Sequence, residues 1–158
     1  MADDQTEIWK AVNQIQIAML TTEADGRLVS RPMASIARPE EGRIYFITRT
    51  NAKVDEIREG AAVNLAYSDP GRNTFLSISG TARTSQDREK LRELWSLFAE
   101  AWMPQGPDAE DVALISVDPD DAKLWDGASS NLAYAGKLLK AVATQTPPKG
   151  ATVKKVSV

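Results

Sequence analysis

Many short β-type runs, tight turns between them and few helical segments predict a mainly β protein with peripheral helices. The expected architecture is an antiparallel barrel, closed or nearly closed. Three observations carry this. "AVNLAYS" and "TFLSISGTART" alternate apolar and polar residues with period two, placing Val63, Leu65 and Tyr67 on one face and Leu76 and Ile78 on another. Asp25-Gly26 is a strong hairpin signal. The first three strands are joined by short connections, which forces antiparallel neighbours. A sandwich fits the same pattern.

Taken in order, "DQTEIWKAVN" (4–13) predicts a short helix, with Asp4 and Glu7 at capping-box spacing and Ile8, Trp9 and Val12 on its apolar face. Strands follow at 15–22, 28–37 and 44–48. After a basic turn come strands near 62–68 and 74–84. Ser85 is placed to cap one longer helix, along which Leu91, Leu94, Trp95, Phe98 and Trp102 recur at helical spacing. The stripe reads as packing. "MPQGPDAED" ends that helix. "VALISV" is a sixth strand, "DPDD" a turn and "AKLWDG" a seventh strand. A final amphipathic helix spans 131–143. Residues 1–145 read as one domain, and 146–158 as a polar, basic tail on the surface.

Composition removes whole classes of chemistry. The chain has 158 residues, no cysteine and no histidine. Disulfides, thiolate nucleophiles, Cys/His metal sites and serine–histidine triads are excluded, and no metal site is expected. A formal net charge of −3 disfavours nucleic acid as a partner. The opening "MADDQTEIWK" lacks a basic n-region, and no apolar run approaches the roughly 20 residues that span a bilayer. The expectation is a cytoplasmic protein with no membrane partner.

Three stretches stand out. In "FITRTNAKVDEI" (46–57), a strand gives way to small polar residues flanked by Arg49 and Lys53, with Thr50 and Asn51 between them and helical sequence after. Backbone N–H groups, a hydroxyl, two cations and a helix dipole could seat a phosphate. An ordinary surface turn uses the same residues. In "SRPM", Pro32 has no N–H to donate, so its strand lies at an edge or bulge, or faces a ligand. Trp125 precedes a loop of small residues and reads either as core or as a cover for a flat ring. The acidic pairs Glu40-Glu41 and Asp120-Asp121 sit in turns and receive no role. No side chain stands out as a catalytic acid or base.

The order of "AMLTT…DGRLVSRPM", "YFITRTNAKVDEI", "SISGTA", "ELWSLFAEAWMPQGP" and "KLWDGASS" resembles the general stress protein 26 group of the pyridoxamine 5′-phosphate oxidase-like split β-barrels, over roughly residues 7–143. The resemblance implies a six-stranded antiparallel split barrel and a homodimer holding FMN at its interface. FAD and the deazaflavin F420 are lesser candidates. It implies phosphate contacts from Arg31 and Lys53, and passage of the flavin ring along Pro32 and Met33. Ile47 and Thr48 would lie beneath the ring, Arg49, Thr50 and Asn51 in the adjoining loop, and Trp125 would reach over from the partner subunit. Two departures bear on activity. True pyridoxamine-phosphate oxidases carry a lysine where this chain has Ile36. They carry an R-x-H-D-R segment where it has Asn131, Leu132, Ala133, Tyr134 and Ala135. A phosphorylated substrate would lose its charge-assisted partners there. The implied function is a flavin-binding, low-specificity oxidoreductase linked to stress response, exchanging electrons with a small molecule, rather than a vitamin B6 oxidase. A flavin carrier or sensor, or a structural dimer without ligand, is the alternative.

Overall fold

The computed structural model describes residues 2–50, 57, 60–127, 139–145 and 152–158. Helix α1 (Ala2–Ile15) leads into β1 (Ile17–Ala24), β2 (Arg27–Ala34) and the short β3 (Ile36–Arg38). A 3₁₀ turn, Pro39–Glu41, precedes β4 (Arg43–Arg49). Then come β5 (Ala61–Asp69), β6 (Thr74–Ser85), helices α2 (Arg88–Leu94) and α3 (Leu97–Trp102), β7 (Val112–Asp126) and β8 (Thr152–Ser157). Strand order in the one antiparallel sheet is β2-β1-β5-β6-β7-β4-β3, with β8 on the other part of β7.

That order explains the closure. β2 and β3 lie at opposite ends of the path, yet only Ser35 separates them. Two Cα steps reach at most about 7 Å, so the sheet must curl until its edges nearly meet, and β2 touches β4. This is the expected mainly β, antiparallel split-barrel class, with eight strands among the described residues where six were expected.

Alternation fills the barrel as read. Val63, Leu65, Tyr67, Leu76 and Ile78 are buried with Leu20, Ile44, Phe46 and Leu124. Ile8 and Val12 of α1 plug the same core, and Trp9 packs at its margin. Asp25 and Gly26 both take positive φ (51° and 75°), the geometry of a two-residue hairpin between Ala24 and Arg27. Pro32 is exposed on edge strand β2, where a missing N–H costs no ladder bond.

The one strand expected at 28–37 is two, β2 and β3, broken at Ser35, and four further details differ from the sequence reading. First, α1 begins at Ala2, so Asp4 and Glu7 lie inside the helix. Both instead pair with Lys154 of β8, Asp4 at 3.5 Å. Second, the tail is no loose surface segment in its last part: Thr152–Ser157 forms β8, and Val156 is buried. Third, "DPDD" is not a turn. β7 runs unbroken for 15 residues, with a bulge where Gly80 pairs with Pro119 and Ser79 with Asp121. A Cβ at Gly80 would stand 2.4 Å from the Asp118 carbonyl oxygen, so only glycine fits beside the bulge. Fourth, the single helix capped by Ser85 is two helices. Asp87 caps α2 by accepting from Lys90 N, and Ser96 caps α3 by accepting from Ala99 N. Trp95 is extended between them, its Nε1 donating to Glu100 at 2.6 Å. A serine hydroxyl in mid-stripe thus starts a second helix. Of the expected final helix, 139–144 is helical and 131–138 lies outside the described residues.

Tyr67 is a buried core residue whose hydroxyl has no hydrogen-bond partner of ordinary geometry among the described residues. Ser35 lies near but donates its own proton to the Gln16 carbonyl at 2.7 Å. Burial holds the Tyr67 phenol above the usual tyrosine value, with Ser35 opposing. A raised folded-state value gives a contribution complete below the unfolded pKa of about 10 and lost as pH rises above it. Tyr67→Phe is therefore expected to be neutral or stabilising by up to about 2 kcal/mol at pH 8, and to lessen the alkaline loss. Denaturant titrations at pH 8 and 11 test this. A clear destabilisation at pH 8 would mean the hydroxyl is satisfied after all.

Candidate functional site

The curl at Ser35 places the end of β2, all of β3 and the outer face of β4 along one seam. Gln16, at the end of α1, has φ +66°, and its carbonyl receives both the N–H (2.8 Å) and the hydroxyl (2.7 Å) of Ser35. On β4, Ile44 and Phe46 turn into the barrel, while Tyr45 and Ile47 turn outward beneath α2 and α3. Tyr45 and Ile47 pack there with Leu91, Leu94, Ala99 and Met103.

Between this outer face, α1 and α3 lies a cleft of about 440 Å³. Ile36 and Ile47 form one wall, with Phe98 and Met103 from the α3 side; Ala34 and Ser35 before β3 and Arg38 at its far end also line it. A shallower neighbour is lined by Thr48, Arg49, Trp102 and Met103. Arg49 Nη2 donates to the Trp102 carbonyl at 3.1 Å and lies 3.5 Å from Gln105 Oε1. This cation is engaged in holding the C-terminus of α3, where its charge also suits the helix dipole.

The candidate residues fall into three groups. Ile47, Thr48 and Arg49 line the two clefts, and the Thr50 N–H donates to the Asp111 carbonyl at 2.6 Å. Arg31, Pro32 and Met33 lead into the seam along β2. Arg31 and Met33 lie opposite the buried Leu20 and Ala18, so they take the barrel side, while Pro32 takes the outer side with Met19. Met33 packs on the core. Trp125 is distant. It pairs with Phe75 and Val153 toward the end of β7, whereas Thr48 pairs with Ala113 near the start. The intervening strand is roughly 40 Å long. Trp125 is partly buried, and its neighbour Leu124 takes the core side. Asn51, Lys53 and 131–135 lie outside the described residues.

Two features escaped the sequence reading. Phe98 and Trp102 are 52% and 68% exposed, their rings 6.1 Å apart, so they are not packing residues. The serine inside the stripe was the available signal. Arg38 was absorbed into the "RPEEG" turn. Its position two residues after Ile36, on the same face of an extended strand, could have identified it.

Ile36 and Ile47 make an apolar shelf along the larger cleft, and Arg49 lines the neighbouring one.

A family model described as pyridoxamine 5′-phosphate oxidase like matches residues 3–149. A structure described as a general stress protein 26 from Jannaschia sp. CCS1 is 27% identical. It covers 100% of this chain and 99% of that one, with a TM-score of 0.78. The general stress FMN/FAD binding protein from Xanthomonas citri is 32% identical, covering 82% of this chain and 93% of that one, TM-score 0.71. Protein bli-3 of Neurospora crassa is 29% identical over 65% of this chain and 54% of its own length, so the chain spans about half of this curated relative. Among the described residues no helix is long and apolar enough to cross a membrane.

Proposed function

Because the chain belongs to the pyridoxamine 5′-phosphate oxidase-like family, we propose that it binds FMN as a homodimer and serves as a low-specificity flavin-dependent oxidoreductase linked to stress response. The observation that supports this is the seam at Ser35, which joins the end of β2 to β3 alongside β4, so that Ala34, Ser35 and Ile36 share one cleft with Ile47. The bound flavin would supply the redox chemistry. Arg31 and, by sequence, Lys53 would hold its phosphate, with Thr50 and Asn51 in the same loop. Pro32 and Met33 would border the ring, and Ile47 and Thr48 would support it. The fit to an FMN/FAD binding relative from Xanthomonas citri supports the cofactor class.

Two chains are needed in this reading. Trp125 and Ala113, the β7 residue paired with Thr48, lie at opposite ends of β7, so one ligand touching both Trp125 and Thr48 would draw them from different protomers. The outer sheet face offers the surface. Ile17 and Met19 are 44% and 41% exposed, ringed by Pro32, Ala34 and Ala66. Small and apolar side chains on an exposed sheet face suit a two-fold contact. Sedimentation at micromolar concentration is expected to show a dimer; only monomer would contradict it.

The protein with FMN is expected to show flavin absorbance bands, and Arg31→Ala to weaken FMN roughly 10- to 150-fold. A hydrogen bond to a charged group contributes about 1.5–3 kcal/mol, and about 1.4 kcal/mol is tenfold. Riboflavin, lacking the phosphate, should be little affected. Equal loss for both ligands would remove the phosphate role, and a protein that refuses flavin altogether would remove the reading.

Vitamin B6 oxidation is not proposed, since Ile36 presents a hydrocarbon wall to the cleft. Incubation of the flavin-loaded protein with pyridoxamine phosphate should release little peroxide; brisk release would show that other residues recognise the substrate phosphate.

A further inference from the structure

The 440 Å³ cleft is uneven in its chemistry. Ile36, Ile47, Phe98 and Met103 give it a hydrocarbon and aromatic lining, interrupted by neutral polar side chains such as Gln16 and Ser96. Arg38, at the strand end, is the one charged side chain lining it among the described residues. That guanidinium is under-committed. Nη1 donates to the adjacent Ala37 carbonyl at 3.0 Å, and the Nε to Glu40 separation is 3.9 Å, beyond hydrogen-bond reach. Glu40 is itself 68% exposed, so its hold is weak. Glu41, the other nearby acid, is taken by the Tyr45 hydroxyl and by Lys90 at 2.6 Å. A guanidinium has five N–H donors in a planar fork suited to a carboxylate. The Arg38 side chain is only 30% exposed and lines a largely apolar cleft.

We propose that this cleft is the substrate pocket and takes a flat aromatic carboxylic acid. The ring lies against Phe98 on the α3 side, and the carboxylate meets Arg38. A phosphate ester fits less well. It brings two charges to a single cation, with no second basic group on the lining. A wholly neutral ring would leave Arg38 without a partner inside the slot. The volume falls within the usual range of about 300–1,000 Å³ for small-molecule sites and admits one or two fused rings. The pocket shares Ile47 with the proposed flavin seat, so the acid would lie against the cofactor. Its standing as a substrate therefore rests on the flavin reading, whereas its binding does not.

Calorimetric titration with 2-naphthoate and the neutral 2-naphthylmethanol tests this. The acid is expected to bind the unaltered protein more tightly than the alcohol. Arg38→Gln should weaken the acid about tenfold, the loss of one charge-assisted contact at a part-exposed site. The alcohol should change by less than about twofold, which also shows that the variant is folded. Phe98→Ala should weaken both. Equal binding of the two compounds, an Arg38→Gln variant that keeps the acid, or no binding of either at millimolar concentration would overturn the proposal. With FMN present, the acid should also perturb the flavin spectrum; intact binding with an unchanged spectrum would overturn its role as substrate. Failure of the flavin reading looks different: no flavin bands, but the same contrast between acid and alcohol.

Discussion

The chain crosses from one edge of its sheet to the other through Ser35 alone. Everything that makes the site follows from this short connection. Ala34 closes the edge strand β2, and Ile36 opens β3 at the far end of the strand order. A sheet can satisfy that only by curling on itself. The joint is pinned from outside by Gln16, whose left-handed backbone at the end of α1 turns its carbonyl toward both Ser35 donors. A non-glycine residue in that conformation is uncommon and costs about 1–2 kcal/mol. Two hydrogen bonds to one carbonyl help offset it. The helix, both sheet edges and the cleft mouth therefore meet within three residues.

The counterpart is β7, which gives the barrel its length. It pairs with β6 throughout, with β4 on its first half and with β8 on its second. A strand that long would overshoot a small barrel if it stayed regular. The bulge at 118–120 re-aims it, and Gly80 lets the neighbouring backbone close in. Arg43 and Arg83 both pair with Asp118 beside the bulge, at 2.7 and 3.2 Å. These partly exposed pairs fix local geometry more than they add stability. The result is a continuous element whose ends serve different purposes: Ala113 backs Thr48 at the cleft, and Trp125 stands at the opposite end.

The alternating strands were readable because period-two burial is a local signal. Val63, Leu65 and Tyr67 needed no tertiary information to be placed. The class of fold and its edge proline were legible for the same reason. What was lost depended on distant partners. "DPDD" carries strong turn chemistry, yet long pairing with β6 overrides it. The basic tail looked solvated because the Asp4 and Glu7 that receive Lys154 lie at the other end of the chain. Likewise Arg38 has no local mark of function. Only the fold shows that Glu41 is occupied elsewhere and that Arg38 faces an apolar slot. Of the expected site residues, Ile47, Thr48 and Arg49 line the two clefts, whereas Trp125 would join them only from a second chain.

The cleft is built from elements of unequal firmness. One wall is β4, paired on both sides and backed by the barrel core. The other is α3, six residues long, too short to be stable by itself. Leu97, Phe98 and Trp102 leave much of it exposed, and only Ala99 of that helix is fully buried. Its anchors are the Ser96 cap, the buried Met103 just beyond it and the Arg49 bond to the Trp102 carbonyl. Elements with few buried contacts open at low free energy. A fixed wall would hold a flavin in one orientation, and a yielding aromatic wall would accept rings of different outline against it. In the proposed function, selection would fall to shape and to Arg38, the one charge on the cleft lining among the described residues, while the cofactor would supply the reactivity.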